Sequence, residues 1–96
     1  MELNYQLQYE EQVVHDDIPK LASAIRDRIQ KAIMTKLLVH PEIFGKPLRH
    51  SARGYRKLRV GDHRVVFRIE GLLIKIFAIG HRSIVYKILS QRLSTK

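Results

Sequence analysis

Residues 53 to 68 carry the side chains best suited to chemistry, because arginine and lysine are interleaved there with apolar residues. Gly61-Asp62 predicts a two-residue turn, since glycine tolerates the positive φ that such a turn requires. In the resulting β-hairpin, Arg59 lies directly opposite Arg64. Side chains alternate between the two faces of a strand, so the hairpin has one basic and one apolar face. The predicted basic face consists of Tyr55, Lys57, Arg59, Arg64 and Arg68.

The basic face of this hairpin is suited to binding a phosphate. Like charges directly opposite each other destabilise a hairpin, so the pairing of Arg59 with Arg64 indicates an anionic ligand that offsets the repulsion. Arginine presents a planar fork of donors that matches phosphate geometry. Preorganised positive charge also stabilises a negatively charged transition state without a metal ion. The alternative is a solvated basic face, which is the default for charged residues on a strand.

The net charge of +9 is concentrated in the second half of the chain. Residues 1–45 contain five Lys/Arg and seven Asp/Glu, whereas residues 46–96 contain thirteen Lys/Arg and two Asp/Glu. Such asymmetry favours a polyanionic partner for the second half, and nucleic acid is the most common one. An acidic protein or an anionic membrane would satisfy the same charge.

The absence of cysteine excludes disulfides and thiolate metal sites and suits a reducing cytosol, so we expect a cytoplasmic protein. We see no signal peptide, and no apolar run is long enough to span a membrane. The spacing of His15, His40, His50 and His63 does not match a metal site. We therefore expect neither a metal ion nor another cofactor.

A long amphipathic helix is predicted in the first half of the chain. Apolar residues recur at spacings of three and four between positions 21 and 37, which indicates about five helical turns. Asp16 or Asp17 is the predicted cap. The helix is expected to end at His40-Pro41, because the residue before proline avoids the helical conformation.

Strands are predicted at residues 3–9, 54–60, 63–69 and 72–80, and a short helix at 84–93. The element order is β-α-(α)-β-β-β-α, which predicts an α+β fold. We expect a small antiparallel sheet with the long helix packed on its apolar face.

The third strand of the hairpin region extends both faces. Simple alternation assigns Ile74, Ile76 and Ala78 to the apolar face, and Phe77 and Ile79 to the basic side. Apolar residues on the basic side require a cover, and the last helix could provide it with Ile84, Val85, Ile88 and Leu89.

Three segments together resemble the RelE/ParE superfamily of bacterial toxins: Gly45–Leu48, Tyr55–Phe67, and Ile79–Arg82 followed by Tyr86. With the element order, the resemblance covers nearly the whole chain and implies a single RelE-like domain over residues 1–96. It implies a toxin that is held inactive by an antitoxin encoded beside it. RelE-side members are endoribonucleases that cut messenger RNA, usually in the ribosomal A site. ParE-side members share the fold and poison DNA gyrase.

The resemblance also implies roles for individual residues. Lys57 matches a lysine proposed to help activate the attacking ribose 2′-hydroxyl, and Arg64 matches an arginine that stabilises charge on the scissile phosphate. Arg82 matches an arginine linked to protonation of the leaving group, with His81 as a competing acid or base. Tyr86 matches a tyrosine that stacks on a base and orients the substrate.

Three functions remain open from the sequence. The leading hypothesis is a metal-independent messenger-RNA endonuclease, and the second is a gyrase inhibitor without nuclease activity. Because Tyr55 stands where the prototype has a second lysine, a catalytically silent RNA-binding module is the third. The predicted RNA contacts beside the catalytic set are Arg49, Arg53, Tyr55, Arg56, Arg59 and Arg68.

The expected partners are a cognate antitoxin, messenger RNA and the ribosomal A site, and no membrane partner is expected. The antitoxin is predicted to cover the basic face or to displace the helix at residues 84–93. A partner helix with a similar apolar stripe could compete for the groove that this helix occupies.

Overall fold

The computed structural model describes residues 5–48 and 54–94, and in them a five-stranded sheet lies between two layers of helix. The sheet has the strand order β1-β5-β4-β3-β2. The strands are β1 (Gln6–Tyr9), β2 (Lys46–Pro47), β3 (Arg56–Val60), β4 (His63–Glu70) and β5 (Leu73–His81). This architecture confirms the predicted α+β fold class.

The sheet is mixed, because β1 runs parallel to β5 while the other neighbours are antiparallel. Parallel neighbours need a crossover connection, and the connection here contains the long helix and the hairpin β3–β4. Alternation of apolar residues predicts a strand but not its direction. The antiparallel pairing expected throughout therefore holds for four of the five strands, with β1 as the exception.

All helical elements precede β3 in the chain except the last helix, which follows β5. The long helix begins at Ser23, because Leu21 and Ala22 have extended backbones, and it continues without a break through two helical types to Leu37. The elements are a π-helical turn (Val13–Asp17), a 3₁₀ turn (Ile18–Lys20), α1 (Ser23–Ala32) with its π-helical extension (Ile33–Leu37), α2 (Pro41–Phe44) and α3 (Val85–Ser94).

The predicted capping role of Asp17 is wrong. Its side chain makes no cap hydrogen bond to the 3₁₀ turn and is instead buried. A carboxylate removed from water needs hydrogen-bond donors or a cation. Asp17 has partners of both kinds, as described below.

Two apolar cores lie on opposite faces of the sheet. The larger one, here called the α1-side core, joins α1 and its extension to the sheet through Ile29, Ile33, Leu37, Leu58, Val60, Val65, Phe67, Ile74, Ile76 and Ile79. The smaller one, the α3-side core, consists of Tyr55, Val66, Phe77, Ala78, Val85 and Leu89. The basic face therefore does have the helical cover that its apolar residues require.

The predicted pairing of β3 with β4 is confirmed: Arg59 lies opposite Arg64, and Lys57 lies opposite Val66. Gly61 has a φ of 60° in the connecting turn, as the turn prediction required. The register therefore follows from the turn.

The faces predicted for the end of β5 are wrong, because the ladder between β4 and β5 is irregular at Val66/Phe67. Phe77 is the extra residue of this bulge, and a bulge shifts the alternation of the following side chains. Ala78 consequently joins the α3-side core, and Ile79 joins the α1-side core.

Candidate nucleic-acid interface

The basic residues of the hairpin form two neighbouring rows on the α3 face of the sheet. One row contains Arg59 and Arg64, and the adjacent row contains Lys57 beside the buried Val66. Diagonal neighbours across a strand pair lie about 7–8 Å apart, so Lys57 and Arg64 can contact the same phosphodiester. The sheet thus places the cationic side chains of Lys57, Arg59 and Arg64 on one face, in adjacent rows.

Arg64 belongs to the predicted basic face, yet its side chain is largely buried and only 9% exposed. It lies opposite Gly80, which has no side chain. Val85, the first residue of α3, and the residue before it pack against Gly80. The Arg64 Nη1 atom donates hydrogen bonds to the carbonyl oxygens of Gly61 at 3.0 Å and His63 at 2.8 Å. These bonds orient the guanidinium at the hairpin turn, and they give Arg64 a structural role beside any role in binding.

Tyr86, in the first turn of α3, lies against Lys57. The Lys57 Nζ atom is 5.9 Å from the centre of the Tyr86 ring, a cation–π distance. The Tyr86 hydroxyl is buried and has no hydrogen-bond partner among residues 5–48 and 54–94. Buried hydroxyls are normally satisfied, so this atom is an exception among the described residues.

Arg82 lies at the rim of the same face, in the turn between β5 and α3. Its backbone N–H donates to the Asp62 carbonyl at 2.8 Å, which fixes this turn beside the hairpin turn. The Arg82 Nε atom is 4.0 Å from Asp62 Oδ1, with both side chains mostly exposed. Such an exposed pair is weak, so the guanidinium can reorient towards a ligand.

His81 is not brought to Lys57. Its ring packs edge-on against that of His63 at 5.6 Å, and its Nδ1 lies 2.8 Å from Ser83 Oγ. His63 precedes Val65 of the α1-side core by two residues, so both rings lie on the face opposite Arg64. Burial, together with the neighbouring His81, lowers the pKa of His63, while Asp62 opposes this shift.

The predicted RNA-contacting residues have differing environments. Tyr55 is buried and packs edge-on against Phe77 at 5.1 Å, and the Arg68 guanidinium lies 5.4 Å above the Tyr55 ring. Arg56 donates to the Gly45 carbonyl at 2.8 Å and so holds the segment before β2. Arg59 is exposed on the basic face. Arg49 and Arg53 lie outside the described residues.

A buried ion pair between Asp17 and Arg92 was not predicted from the sequence. Arg92 Nη2 lies 2.6 Å from Asp17 Oδ1, and Nη1 lies 2.8 Å from Oδ2, so the contact is bidentate. The hydrogen bond to Asp17 raises the pKa of Arg92. The apolar spacing of the last helix predicted its buried stripe but gave no sign of a charged anchor on it.

Within residues 5–48 and 54–94, no group of three or more histidine, aspartate or glutamate side chains could hold a metal ion. In the same part of the chain, each helix is too short or too polar to cross a bilayer.

A family profile described as the ParE toxin of the type II toxin–antitoxin system parDE matches residues 6–86. The chain belongs to this toxin family. No curated protein sequence matches it. The match includes all five strands and the first two residues of α3, and so covers both the sheet and the residues of the candidate interface.

Solved structures of related toxins have the same fold. The toxin–antitoxin complex RelBE2 from Mycobacterium tuberculosis aligns with a TM-score of 0.75 and 25% identity, covering 86% of this chain and 97% of that one. A doubly substituted free RelE from E. coli aligns with a TM-score of 0.70 and 24% identity over 93% and 97% of the two chains. The intact E. coli RelBE toxin–antitoxin complex aligns with a TM-score of 0.67 and 23% identity, covering 80% of this chain and 95% of that one. The protein is therefore a type II toxin of the RelE/ParE superfamily.

Proposed function

We propose that this toxin is a metal-independent endoribonuclease that cuts messenger RNA through attack of a ribose 2′-hydroxyl. The observation that carries the proposal is the contact of Lys57 with Tyr86 on the face that also presents Arg64. The Tyr86 hydroxyl is buried and has no partner among the residues that the structure describes. Lys57, Arg64 and Tyr86 are residues for which the RelE-like resemblance implies a role, and their shared face supports the proposal. Net positive charge over the second half of the chain supplies the attraction for a polyanion.

In the proposed reaction, the 2′-oxygen attacks the adjacent phosphorus and the bond from phosphorus to the 5′-oxygen breaks. The products are a 2′,3′-cyclic phosphate and a 5′-hydroxyl. Lys57 assists removal of the 2′-hydroxyl proton, and Arg64 stabilises the charge on the phosphate oxygens. Arg82 assists protonation of the leaving 5′-oxygen, since His81 lies on the other face.

Tyr86 orients the substrate in this proposal. Stacking of one base on an aromatic ring contributes about 1–3 kcal/mol, and the buried hydroxyl offers one donor in addition. The ring belongs to α3, whereas Lys57 and Arg64 belong to the hairpin. The proposed site is complete only when α3 is packed on the sheet.

The proposed antitoxin acts on this packing or on the basic face. A partner helix that displaces α3 would carry Tyr86 away from Lys57 and silence the enzyme. Amide hydrogen exchange with and without antitoxin tests this: protection of residues 85–94 or of β3 and β4 should change in the complex. Unchanged protection in both segments would exclude this mode of inhibition.

Gyrase inhibition is the second candidate, because the matching family profile is that of the ParE toxins. Brief expression in bacteria, followed by mapping of RNA ends and plasmid topology, separates the two. The endonuclease proposal expects growth arrest and new 5′-hydroxyl ends within messages, with codon phasing if cleavage occurs in the ribosome. Relaxed plasmid with intact messages would support gyrase inhibition, and normal growth with abundant folded protein would contradict both.

A further inference from the structure

The buried pair Asp17–Arg92 joins three separate segments of the chain. Asp17 ends the π-helical turn after β1, and Arg92 lies in the last turn of α3. Asp17 Oδ2 also accepts a hydrogen bond from the backbone N–H of Ile79 at 2.9 Å, and Arg92 Nη1 also donates to the carbonyl of Phe77 at 3.0 Å. The side chains of Asp17 and Arg92 are 4% and 13% exposed.

These contacts occur where β5 extends beyond the end of its neighbour β1. The pairing of β1 with β5 ends at Tyr9 and Ile76, so the backbone of Phe77 and Ile79 continues beyond the end of β1. Unpaired backbone groups at a buried edge are unfavourable. Asp17 and Arg92 supply the missing acceptor and donor, and the ladder is in effect extended by two side chains.

The attachment of α3 to the sheet otherwise depends on few residues. Val85 and Leu89 are the buried residues of this ten-residue helix, with Tyr86 and Leu93 partly buried beside them. An isolated helix of this length is marginal in water. Val85 packs at the end of the helix that carries Tyr86, whereas Arg92 holds the opposite end. Both ends are therefore fixed, one by apolar packing and one by charge.

We propose that Asp17 and Arg92 are positioning residues that hold α3 against the sheet and thereby keep Tyr86 beside Lys57. The inference rests on the proposed endonuclease for its activity readout. Neither residue touches the substrate. Loss of the pair would release α3 while leaving the α1-side core intact, because that core contains no residue of α3.

A double-mutant cycle distinguishes positioning from a general structural role. Asp17→Asn should lower kcat/KM by about tenfold or more in the parent, and by less than about threefold when Tyr86→Ala is already present, because residues acting through one another are non-additive. Equal losses in both backgrounds would overturn the proposal. Arg92→Lys keeps the charge but not the bidentate fork, so its kcat/KM should lie between that of Asp17→Asn and that of the parent.

Amide exchange provides a readout that does not need RNA cleavage. Asp17→Asn should increase exchange in residues 85–94 by about tenfold or more while α1 stays protected, because segments open separately. Lys87→Met is the matched control: it removes an exposed cation from the same helix and should leave α3 protection unchanged. A uniform loss of protection in both Asp17→Asn and Arg92→Lys, or unchanged α3 protection, would refute the positioning role.

The two readouts keep the failures separate. If the parent cuts no RNA but Asp17→Asn exposes α3, the endonuclease is wrong and the attachment of α3 stands. If the parent cuts RNA and Asp17→Asn cuts equally well with α3 exposed, the endonuclease stands and the positioning role is wrong. If Asp17→Asn does not fold, both tests are carried out with Arg92→Lys instead, and the same outcomes apply.

Discussion

The two faces of the sheet are built differently. The α1 face is closed by a long helix over a continuous apolar core that includes the fully buried Phe67 and Ile76. The α3 face has a smaller core, interrupted by the nearly buried Arg64 and by the Tyr86 hydroxyl, which has no hydrogen-bond partner in the described part of the chain. A polar group buried without its full set of partners costs stability. The α1 face therefore supplies the stability that allows the α3 face to keep its charged and unsatisfied groups.

Replacing a phenylalanine on each face tests this division most strongly. Phe67→Ala should lower the free energy of unfolding by about 3–5 kcal/mol, because a fully buried ring leaves a cavity. Phe77→Ala is the matched control and should cost less, since Phe77 already lines a partly open cavity of about 280 Å³ beside α3. Urea denaturation of both variants measures the difference. An equal or larger cost for Phe77→Ala would contradict the division.

Arg64→Ala should act on chemistry more than on stability. Loss of a preorganised charge at the phosphate is expected to reduce cleavage by about 10²–10³-fold. The two backbone hydrogen bonds of Arg64 make a small loss of stability expected as well, offset in part by relief of the repulsion from Arg59. Cleavage of a short RNA at matched folded fractions measures the effect. Near-normal cleavage would show that Arg64 does not contact the phosphate.

Tyr86→Phe should separate the contribution of the Tyr86 ring from that of its hydroxyl, both to stability and to RNA binding. Removing a buried hydroxyl that has no partner among the described residues is expected to raise the free energy of unfolding by up to about 1 kcal/mol. Binding of a non-cleavable RNA should weaken by about 0.5–1.5 kcal/mol, because one hydroxyl donor is lost while the ring remains, whereas Tyr86→Ala should also lose the stacking contribution of about 1–3 kcal/mol. Calorimetric titration compares the two variants. Destabilisation by Tyr86→Phe would indicate that the hydroxyl is satisfied in solution.

The smallest expected effect concerns His63 on the α1 face. Since its pKa lies below the ordinary value of 6.5 in the folded protein, the unfolded chain binds this proton more readily. The contribution of His63 to stability therefore falls as the pH drops below 6.5. NMR titration should show the lowered pKa, and His81→Ala should raise it by removing a like charge. A pKa of His63 at or above 6.5 would refute the assignment.

Local signals explain which features the sequence predicted. The pairing of Arg59 with Arg64 followed from a turn glycine between two alternating segments, all within one hairpin. The parallel direction of β1, the bulge at Phe77 and the Asp17–Arg92 contact depend on segments far apart in the chain. Alternation and helical periodicity describe one element at a time. They place apolar residues on a face, but do not show which distant charge meets which carboxylate.

The parallel pairing of β1 with β5 has a consequence for the order of folding. The hairpins β3–β4 and β4–β5 join neighbouring segments, and contacts between neighbouring segments form quickly. The contacts of Gln6 with Leu73 and of Asp17 with Arg92 are expected to form later, because each of them closes a loop over most of the chain. We therefore expect a chain whose hairpins form early and whose first strand and last helix join them late. Such an intermediate would already display the basic hairpin while Tyr86 is still unplaced, so toxicity would be gained only in the final step of folding.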